Sequence, residues 1–312
     1  MPSHDSGNDS RDDITRTVDG GHIRQDDRQN SQPPVIKDPA AAPVEVMHRW
    51  PAMIIEADGA VHTQPSFAIA DETPINLIYN TIPYAVMMAS AQDIEDFAMG
   101  FSLTEGIIPS RESVREIIVT EKDGGIEVRL HIAGQDFQHL LQSGRRAMVG
   151  RTGCGICGAE TLDALVKPRP RLPKGKTIAL TALRQALVAL DQQQTLNNIV
   201  HMVHGAAWAT HEGEIVLVRE DVGRHNALDK LIGAGLRQGI DLSAGFCLIT
   251  SRCSYEMAQK AITAGMPVLV AVSAPTSRAL RLAEAMDLTV VALARRHQQI
   301  LFTSPERIDL TR

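Results

Sequence analysis

The apolar residues of this chain follow one pattern before a cysteine-bearing stretch near its middle and another pattern after it. In the first half, three β-rich runs separated by turn residues predict strands: PAMIIEA (51–57), SFAIA (66–70) and INLIYN (75–80). Between residues 91 and 106 the apolar side chains recur at a helical period, and Gly106 is the expected end of the helix. Two β-rich runs around the sequence DGG (123–125) predict a hairpin. These elements predict a small α+β domain over residues 46–145.

The second half of the chain alternates strand and helix patterns. Four runs are typical of buried strands: EIVLVRE (214–220), AGFCLIT (244–250), PVLVAVS (267–273) and LTVVALA (288–294). Helical patterns of about ten residues stand between them, which is the spacing of α/β units. The alternation predicts a layered α/β domain with a mostly parallel sheet over residues 176–312.

Two segments lack these patterns. Residues 1–45 are rich in Asp, Ser, Gln, Gly and Pro and almost empty of large apolar side chains, so burial cannot offset the entropy of ordering them. We expect a disordered N-terminal tail there. Residues 146–175 hold a glycine-flanked cysteine pair followed by the proline-rich run KPRPRLPKGK, and this composition predicts a mobile cysteine loop and a linker.

The composition argues against nucleic acid or membranes as partners and against secretion. The 312 residues carry a formal net charge of -6, which gives no general reason to expect binding to nucleic acid or to a membrane surface. No apolar run reaches membrane-spanning length, and the first residues lack the apolar core of a secretory signal. The four cysteines are too few for a disulfide framework in a chain of this length. The sequence therefore predicts a cytoplasmic protein with reduced thiols.

Basic residues cluster in the loops that follow the predicted strands. Ligands of open α/β sheets bind beyond the carboxyl ends of the strands, and here those ends are followed by EDVGRHN (220–226), SRCS (251–254), SAPTS (273–277) and ARRHQQ (294–299). Thr276 is the expected N-cap of a helix, and the free N–H groups at the start of that helix can bind an anion. Such a basic rim favours a phosphate-bearing ligand. The alternative is a set of solvated charges, including a local salt bridge between Asp221 and Arg224.

The sequence GRTGCGICGA (150–159) holds Cys154 and Cys157 in a C-x-x-C spacing between glycines. The pair alone fits half a zinc site, a redox pair or a carrier of a sulfur atom. Cys247 lies in an apolar run and is interpreted as a core residue, and Cys253 has no close cysteine partner. Arginines near the pair favour the reactive thiolate, and the glycines permit motion. This combination suits a sulfur carrier.

A zinc deaminase also combines an α/β layer with cysteines. Its chemistry requires H-x-E for a zinc ligand and a general acid/base, followed by P-C-x-x-C. The candidate at residues 204–206 reads His-Gly-Ala and lacks the glutamate, and SRCS supplies one cysteine without the proline. The sequence therefore excludes deamination.

With these motifs in place, the chain closely resembles the formate dehydrogenase accessory sulfurtransferases of the FdhD/NarQ family. The most specific match is REDVGRHNALDKLIG at residues 219–233. Four further motifs match: IEDFAMGFSLTEGII (94–108), GCGICG (153–158), SRCSYEMAQKA (251–261) and PVLVAVSAPTSRALRLAE (267–284). The resemblance extends from about residue 50 to the C-terminus, with the motifs in the family's order.

The resemblance implies a fold and a function. The fold is a small N-terminal domain followed by a three-layer, cytidine-deaminase-like C-terminal domain without the deaminase zinc chemistry. The function is that of a homodimer that accepts sulfur from a cysteine desulfurase and passes it to the molybdenum cofactor of formate dehydrogenase. That cofactor is a bis(molybdopterin guanine dinucleotide), bound as a client, and no metal of the protein's own is expected.

The resemblance also implies site residues. Cys154 matches the cysteine that carries the persulfide, and Cys157 is an accessory thiol. The family's cofactor site maps onto a C-terminal segment: Leu293, Ala294, Arg295, Arg296, His297 and Gln298. A second set of candidate cofactor-binding residues comes from the strand-end loops and from the histidine that follows the position of the family's T-G-G: His204, Asp221, Arg224, His225, Arg252 and Thr276.

The chain departs from the family pattern at a few positions. Val200-His201-Met202 stands where the family has T-G-G, Arg296 stands at a glycine position, and Phe302 stands at a tyrosine position. Two other functions remain open at this point. One is a non-catalytic chaperone for the cofactor, and the other is a zinc protein with a Cys₄ site shared across a dimer.

Overall fold

A computed structural model describes residues 32–37, 45–144 and 171–311, all of which belong to one compact unit. The strands are β1 (Val35–Lys37), β2 (Met47–Ile55), β3 (Val61–Ala70), β4 (Thr73–Tyr79), β5 (Ile82–Ala89), β6 (Val114–Lys122), β7 (Gly125–Ile132), β8 (Ile178–Ala179), β9 (His204–Thr210), β10 (Ile215–Asp221), β11 (Gly245–Ile249), β12 (Val268–Ala271), β13 (Thr289–Arg295), β14 (Gln298–Thr303) and β15 (Ile308–Asp309). The helices are α1 (Ile94–Thr104), α2 (Gly134–Gly144), α3 (Leu180–Gln193), α4 (Asn197–Val200), α5 (Arg224–Gln238), α6 (Tyr255–Thr263) and α7 (Ser277–Met286). The chain is thus a mixed α/β protein.

The first sheet has five strands in the order β1-β6-β7-β4-β5. Strands β6 and β7 form the expected hairpin, with Gly124 at a positive φ of 87° in its turn. Buried and more exposed side chains alternate along β7, because one face of the sheet packs into the core beside α1.

The predicted disordered tail is wrong for residues 35–37. These residues form β1, which pairs in parallel with β6, and the N–H of Ile117 donates to the carbonyl oxygen of Pro34 at 3.0 Å. Pairing with an existing strand edge satisfies the backbone of this short segment, a gain that its composition does not reveal.

The second sheet has six strands in the order β10-β9-β11-β12-β13-β14. Strands β10 to β13 run in one direction, whereas β9 and β14 run in the opposite direction. The expectation of a mostly parallel sheet is therefore wrong for the pairing, because in the second sheet, as described, only β11–β12 and β12–β13 are parallel neighbours. The reason is that β9 turns back into β10 as a hairpin and is inserted between β10 and β11. The carboxyl ends of β10 to β13 nevertheless lie at one edge.

Two apolar clusters cover the faces of the second sheet. On one face, α5, α6 and α7 pack against sheet residues such as Trp208 and Ile249, in a cluster that continues through α1 into the first sheet. On the other face, α3 packs against residues such as Phe246 and Val270. The two sheets therefore share one core through α1 and α5.

Helices α1 and α5 cross with almost no space between their backbones. A Cβ atom built on Gly100 would stand 1.8 Å from the carbonyl oxygen of Asp229, and one built on Gly233 would stand 1.8 Å from that of Asp96. Beside the crossing, the buried Asp96 carboxylate accepts from Arg219 at 2.7 and 2.8 Å and also from Arg237. Glycine at both contact points is what permits this approach.

Strands β2 and β3 form a separate two-stranded ribbon. Its root packs against α4 and the residues after it, while several large apolar side chains further along are exposed. Trp50, Met53 and Ile55 expose 67%, 72% and 74% of their surface in the described chain. The outer part of the ribbon is therefore an apolar surface in the described chain.

The predicted cysteine loop and linker lie largely outside the described residues, and the predicted domain boundaries stay predictions. The part of the linker that is described is anchored, since Arg307 donates to the carbonyl oxygens of Pro173 at 2.8 Å and Lys174 at 2.7 Å. Within the described ranges, no helix combines the length and the apolar character that a membrane span requires.

Candidate functional site

The candidate site is built where β9 begins and β10 and β11 end, side by side. His204, the first residue of β9, pairs with Asp221, the last residue of β10. On the other side of β9, the N–H of Thr250 donates to the carbonyl oxygen of Gly205 at 3.0 Å. Arg252 lies two residues after Thr250 and is therefore near the start of β9. Neighbouring strands lie about 4.8 Å apart, and the first residues after each strand are therefore close together.

Asp221 lies beneath this surface as a buried structural anion. Its carboxylate is fully buried and pairs with the fully buried ammonium of Lys230 at 2.7 Å. The N–H groups of Ser90 and Gly223 also donate to it, at 3.0 and 2.8 Å, and so does the side-chain amide of Asn226 at 3.0 Å. The interpretation of a local salt bridge to Arg224 is thus wrong, because Lys230 reaches the carboxylate from two turns further along α5.

Four side chains stand around the strand ends: His204, Arg224, His225 and Arg252. Burial, with the positive charge of Arg224, lowers the pKa of His225 to about 4, although Glu256 acts in the opposite direction. Burial and the same arginine also lower the pKa of His204, against the effect of Asp221. Both imidazoles are therefore neutral at pH 7, and the charge of the cluster is that of its two arginines.

The loops after β11 and β12 are tied to each other beside the cluster. The N–H of Cys253 donates to the carbonyl oxygen of Ala274 at 3.2 Å, and the N–H of Thr276 donates to that of Cys253 at 3.0 Å. The Thr276 hydroxyl accepts from the N–H of Ala279 at 3.2 Å, which confirms its expected role as the N-cap of α7. Its side chain is thus already engaged by its own helix.

The predicted C-terminal segment, residues 293–298, is part of a β-hairpin and not a loop. Strand β13 reaches Arg295, and β14 begins at Gln298 after a two-residue turn. Arg296 pairs with Asp191 of α3 at 3.3 Å, with both side chains more than half exposed. Leu293 has a positive φ of 50°, and its N–H donates to the carbonyl oxygen of Ser273. Ala294 is buried, whereas the turn residues are exposed.

This hairpin borders a cavity of about 250 Å³ on the α3 side of the second sheet. Its walls include Leu183 and Leu301, and its polar lining includes Arg184, His297 and Gln298. Arg184 donates to the side chain of Gln299 at 3.0 Å. His297 and Gln298 of the C-terminal segment therefore lie on the α3 side of the sheet, whereas Arg224 and His225 begin α5 on the other face.

Two of the four cysteines lie in the described part of the chain, and both are buried thiols. Burial raises the pKa of Cys253 to about 12 and raises the pKa of Cys247 further, so neither forms a thiolate near neutral pH. Cys247 is a core residue of β11, as the sequence indicates. Cys154 and Cys157 lie outside the described residues, and their predicted roles stay predictions.

Sequence reasoning missed a second buried ion pair below the cluster. Lys260 of α6 donates to both carboxylate oxygens of Asp229 of α5, at 2.9 and 2.8 Å, and to the hydroxyl of Thr104 of α1 at 2.8 Å. Burial raises the pKa of Asp229 to about 6, against the effect of Lys260. The available signal was the acidic and basic pair Glu256 and Lys260, four residues apart in α6, and this pair does not identify Asp229 as the partner of Lys260.

Neither the larger cleft nor a metal-binding group coincides with the predicted site residues in the described part of the chain. A larger cleft, of about 580 Å³, lies at the first sheet and is lined by residues such as Arg115, Glu116 and His131, and the sequence-predicted site residues are not part of its lining. Within residues 32–37, 45–144 and 171–311, the His, Cys, Asp and Glu side chains form no group of three or more that could hold a metal ion. The sequence-predicted site residues that are described therefore lie in the strand-end loops and in the C-terminal hairpin.

Comparison with known proteins gives consistent matches. Residues 70–309 match the model of the FdhD/NarQ family. Over 242 residues, 78% of this chain, it is 47% identical to the Sulfur carrier protein FdhD of Xanthomonas euvesicatoria pv. vesicatoria, with 86% of that protein covered. It is 45% identical to the Sulfur carrier protein FdhD of Bordetella petrii, with 78% of this chain and 87% of that protein covered.

A solved structure shares the fold. It is the crystal structure of a candidate formate dehydrogenase accessory protein from Desulfotalea psychrophila, with a TM-score of 0.68 and 24% sequence identity. The match covers 85% of this chain and the whole of that chain.

Proposed function

Because the chain belongs to the FdhD/NarQ family, we propose that it is the sulfur carrier required for formate dehydrogenase activity in its cell. It accepts sulfur from a cysteine desulfurase as a persulfide on Cys154 and delivers it to the molybdenum cofactor, bis(molybdopterin guanine dinucleotide), before the cofactor enters the enzyme. The observation that carries this proposal is the extended match to proteins named sulfur carriers, at 45–47% identity.

The chemistry of sulfur uptake needs an accessible thiolate. The thiolate attacks the outer sulfur of the donor's persulfide, forms a new S–S bond to Cys154, and releases the donor cysteine as a thiolate. Cys247 and Cys253 are unsuited to this step because burial raises the pKa of both thiols. Their exclusion supports the C-x-x-C pair as the carrier, with Cys154 as the persulfide residue and Cys157 as an accessory thiol.

The client cofactor carries several phosphate groups, which need cationic or N–H partners. Candidate partners are the strand-end cluster with Arg224 and Arg252, and the C-terminal hairpin with Arg295 and Arg296. Charge-assisted hydrogen bonds to phosphate are among the stronger polar contacts available to a protein. Both groups of residues support a role in holding the cofactor during sulfur delivery.

Replacing Cys154 with alanine tests the carrier function. We expect Cys154→Ala to abolish activation of formate dehydrogenase in cells that lack their own carrier, because the persulfide cannot form. Mass spectrometry should show a gain of one sulfur atom on Cys154 of the unmodified protein after incubation with a desulfurase and cysteine, and no gain at this position in the variant. Full enzyme activity with the variant would contradict the proposal and favour a non-catalytic cofactor chaperone.

Cys247→Ala is the matched control. This change removes a buried thiol in β11, so it should lower stability through lost packing while sulfur transfer continues.

The alternative of a zinc protein is tested by measuring the zinc content of the same purified proteins. One zinc ion per two chains, lost in both Cys154→Ala and Cys157→Ala, would favour a Cys₄ site shared across a dimer over the carrier.

A homodimer is part of the proposal. The exposed apolar side chains of the β2–β3 ribbon support an interface, because an isolated two-stranded ribbon is only marginally stable in water. Light scattering of the purified chain measures the number of copies. A monomer at all concentrations would contradict this part of the proposal alone.

A further inference from the structure

We propose that β1 is a detachable cap on the edge of β6, and that this edge, when uncovered, pairs antiparallel with the same edge of a second copy of the chain. The inference goes beyond the proposed function, because it concerns a segment outside the part of the chain that matches the family. That match begins at residue 70, whereas β1 spans Val35–Lys37.

Strand β6 would be the outermost strand of the first sheet if β1 were absent. In the order β1-β6-β7-β4-β5, one side of β6 meets β7 and the other side meets β1. In the described chain, β1 pairs with three of the nine residues of β6: Ile117, Ile118 and Val119. An edge strand presents a row of N–H and C=O groups that can pair with a strand of another chain. By covering the centre of β6, β1 blocks this pairing.

The contacts that hold β1 on β6 are few. The N–H of Ile117 donates to the carbonyl oxygen of Pro34 at 3.0 Å, and Val35 packs against the main apolar cluster. The ammonium of Lys37 pairs with the carboxylate of Glu95, but the Lys37 side chain is mostly exposed, so this ion pair contributes little. Parallel pairing is also slightly less stable per residue than antiparallel pairing. A short segment held in this way can open locally while the rest of the sheet stays folded.

The sequence of β6 favours the addition of a strand. Residues 117–120 read Ile-Ile-Val-Thr, four β-branched residues in a row, and the whole strand VREIIVTEK contains no proline. Alternate residues of a strand direct their backbone groups to the same side. Because the N–H of Ile117 points to β1, the backbone groups of Val119 and Glu121 belong to the same edge.

A second copy of β6 suits this edge by symmetry and by charge. If a two-fold axis passes through Ile118, then Ile117 of one copy lies opposite Val119 of the other, and Arg115 lies opposite Glu121. Each of these pairs occurs twice. Apolar residues then oppose apolar residues, and opposite charges oppose each other, both of which stabilise cross-strand pairs. The self-pairing of β6 is therefore the occupant that its own sequence favours.

Replacing Ile36 with proline uncovers the edge. Ile36 pairs with Ile118, and proline has no N–H to donate to a neighbouring strand. By light scattering at equal concentration, we expect Ile36→Pro to have a mass at least about twofold above that of the unmodified chain, because each uncovered edge joins two copies. The matched control is Ile36→Ala, which keeps the N–H and should keep the mass of the unmodified chain. An unchanged mass for Ile36→Pro, or an equal increase for Ile36→Ala, would overturn the proposal.

Charge reversal tests the register of the second copy. In the Ile36→Pro background, Arg115→Glu places a carboxylate opposite Glu121 in both directions, so we expect the association to weaken at least about fivefold. Adding Glu121→Arg restores opposite charges in the reverse order and should return the affinity to within about threefold of that of Ile36→Pro alone. Equal weakening in the single and the double reversal would contradict the two-fold pairing of β6.

Hydrogen exchange of the unmodified chain gives a readout that does not depend on the folding of a variant. The N–H of Ile117 is bonded to the β1 segment, whereas Leu130 lies in β7 with a neighbouring strand on each side. We expect the Ile117 amide to exchange at least about tenfold faster than that of Leu130, through a local opening. Equal rates would show that β1 does not detach on its own and would overturn the proposal.

These measurements are independent of the carrier function and of the β2–β3 ribbon. The mass of the unmodified chain is the reference, whatever number of copies the ribbon joins, and no step involves Cys154. Failure of the proposed sulfur transfer and failure of the β1 cap are therefore distinguishable.

Discussion

Asp221 and Lys230 show what a motif residue can do without touching a ligand. Both belong to the sequence REDVGRHNALDK, which indicates a binding loop, yet both side chains are fully buried and bonded to each other. The ammonium of Lys230 also donates to the carbonyl oxygen of Ser90 at 2.9 Å, which joins α5 to the end of β5. The motif therefore has two parts, a buried ion pair that holds the loop and an outer pair, Arg224 and His225, that is placed by it.

We predict that Asp221→Asn lowers the free energy of unfolding by about 3–5 kcal/mol, because it leaves the Lys230 ammonium buried without its counter-charge. Denaturant unfolding followed by circular dichroism measures the change. The matched control is Asp191→Asn, which removes the exposed partner of Arg296 and should cost less than about 1 kcal/mol. Equal effects of the two substitutions would contradict the structural role of Asp221.

At the scale of single residues, sequence reasoning identified candidates but could not assign their partners. Arg224 follows Asp221 by only three residues, so a local salt bridge was the natural expectation. The actual partner, Lys230, is nine residues away and reaches the carboxylate only because α5 folds back over the end of β10. The neutral state of His225 likewise depends on burial by elements distant in sequence.

At the scale of elements, the crossing of α1 and α5 controls how the two sheets fit together. All residues of α1 are buried, and its Gly100 meets the backbone of α5 at Asp229. The Arg219–Asp96–Arg237 cluster and the Asp229–Lys260–Thr104 cluster lie beside this crossing. Any change in the distance between the helices would alter both clusters and, through α5, the position of Arg224.

We predict that Gly100→Ala destabilises the protein by about 3 kcal/mol or more, because its Cβ would overlap the Asp229 carbonyl oxygen and force the helices apart. The melting temperature measured by calorimetry reports the loss. Gly134→Ala is the matched control, since a Cβ at that position meets no atom within 4 Å, and its effect should stay within about 1 kcal/mol. A Gly100→Ala variant as stable as this control would show that the crossing tolerates a wider spacing.

The strands that the sequence predicts and the strand that it does not predict differ in how apolar and polar residues alternate along them. Runs such as GIEVRLHI alternate clearly and were identified as strands, and β11 is apolar throughout because both its faces are buried. Strand β9, HGAAWAT, consists mostly of small residues around Trp208 and does not alternate, so no strand was predicted there. Its omission led to the wrong expectation of a mostly parallel sheet, because β9 is the strand that reverses direction between β10 and β11.

At the scale of the whole molecule, the first sheet and the second sheet depend on one another for their cores. The same apolar cluster includes Leu130 of the first sheet, Phe97 of α1 and Leu231 of α5. The sequence indicated two domains from the change of pattern, but it could not show that they share one core. Which helix faces meet is decided by tertiary packing between residues more than a hundred positions apart.

We predict that residues 1–160 expressed alone do not form a stable fold, because α1 would expose the apolar face that α5 covers in the whole chain. Circular dichroism and limited proteolysis should show an unstructured or aggregated fragment. Co-expression with residues 161–312 should restore protease resistance if the two parts reassemble. A cooperative thermal transition of the first fragment by itself would contradict the shared core.

The helix crossing also affects folding during synthesis, because α1 leaves the ribosome well before α5, the helix that it packs against. Gly233 follows Gly100 by 133 positions in the chain. At about 5–20 residues per second, the apolar surface of α1 waits roughly 7–27 s before its partner is translated. During that interval α1, whose residues are all buried in the folded chain, lacks the cover that α5 provides. Uncovered apolar surface is the kind of surface that chaperones bind. We therefore expect the yield of folded protein to depend on chaperones that protect α1 until α5 has been translated.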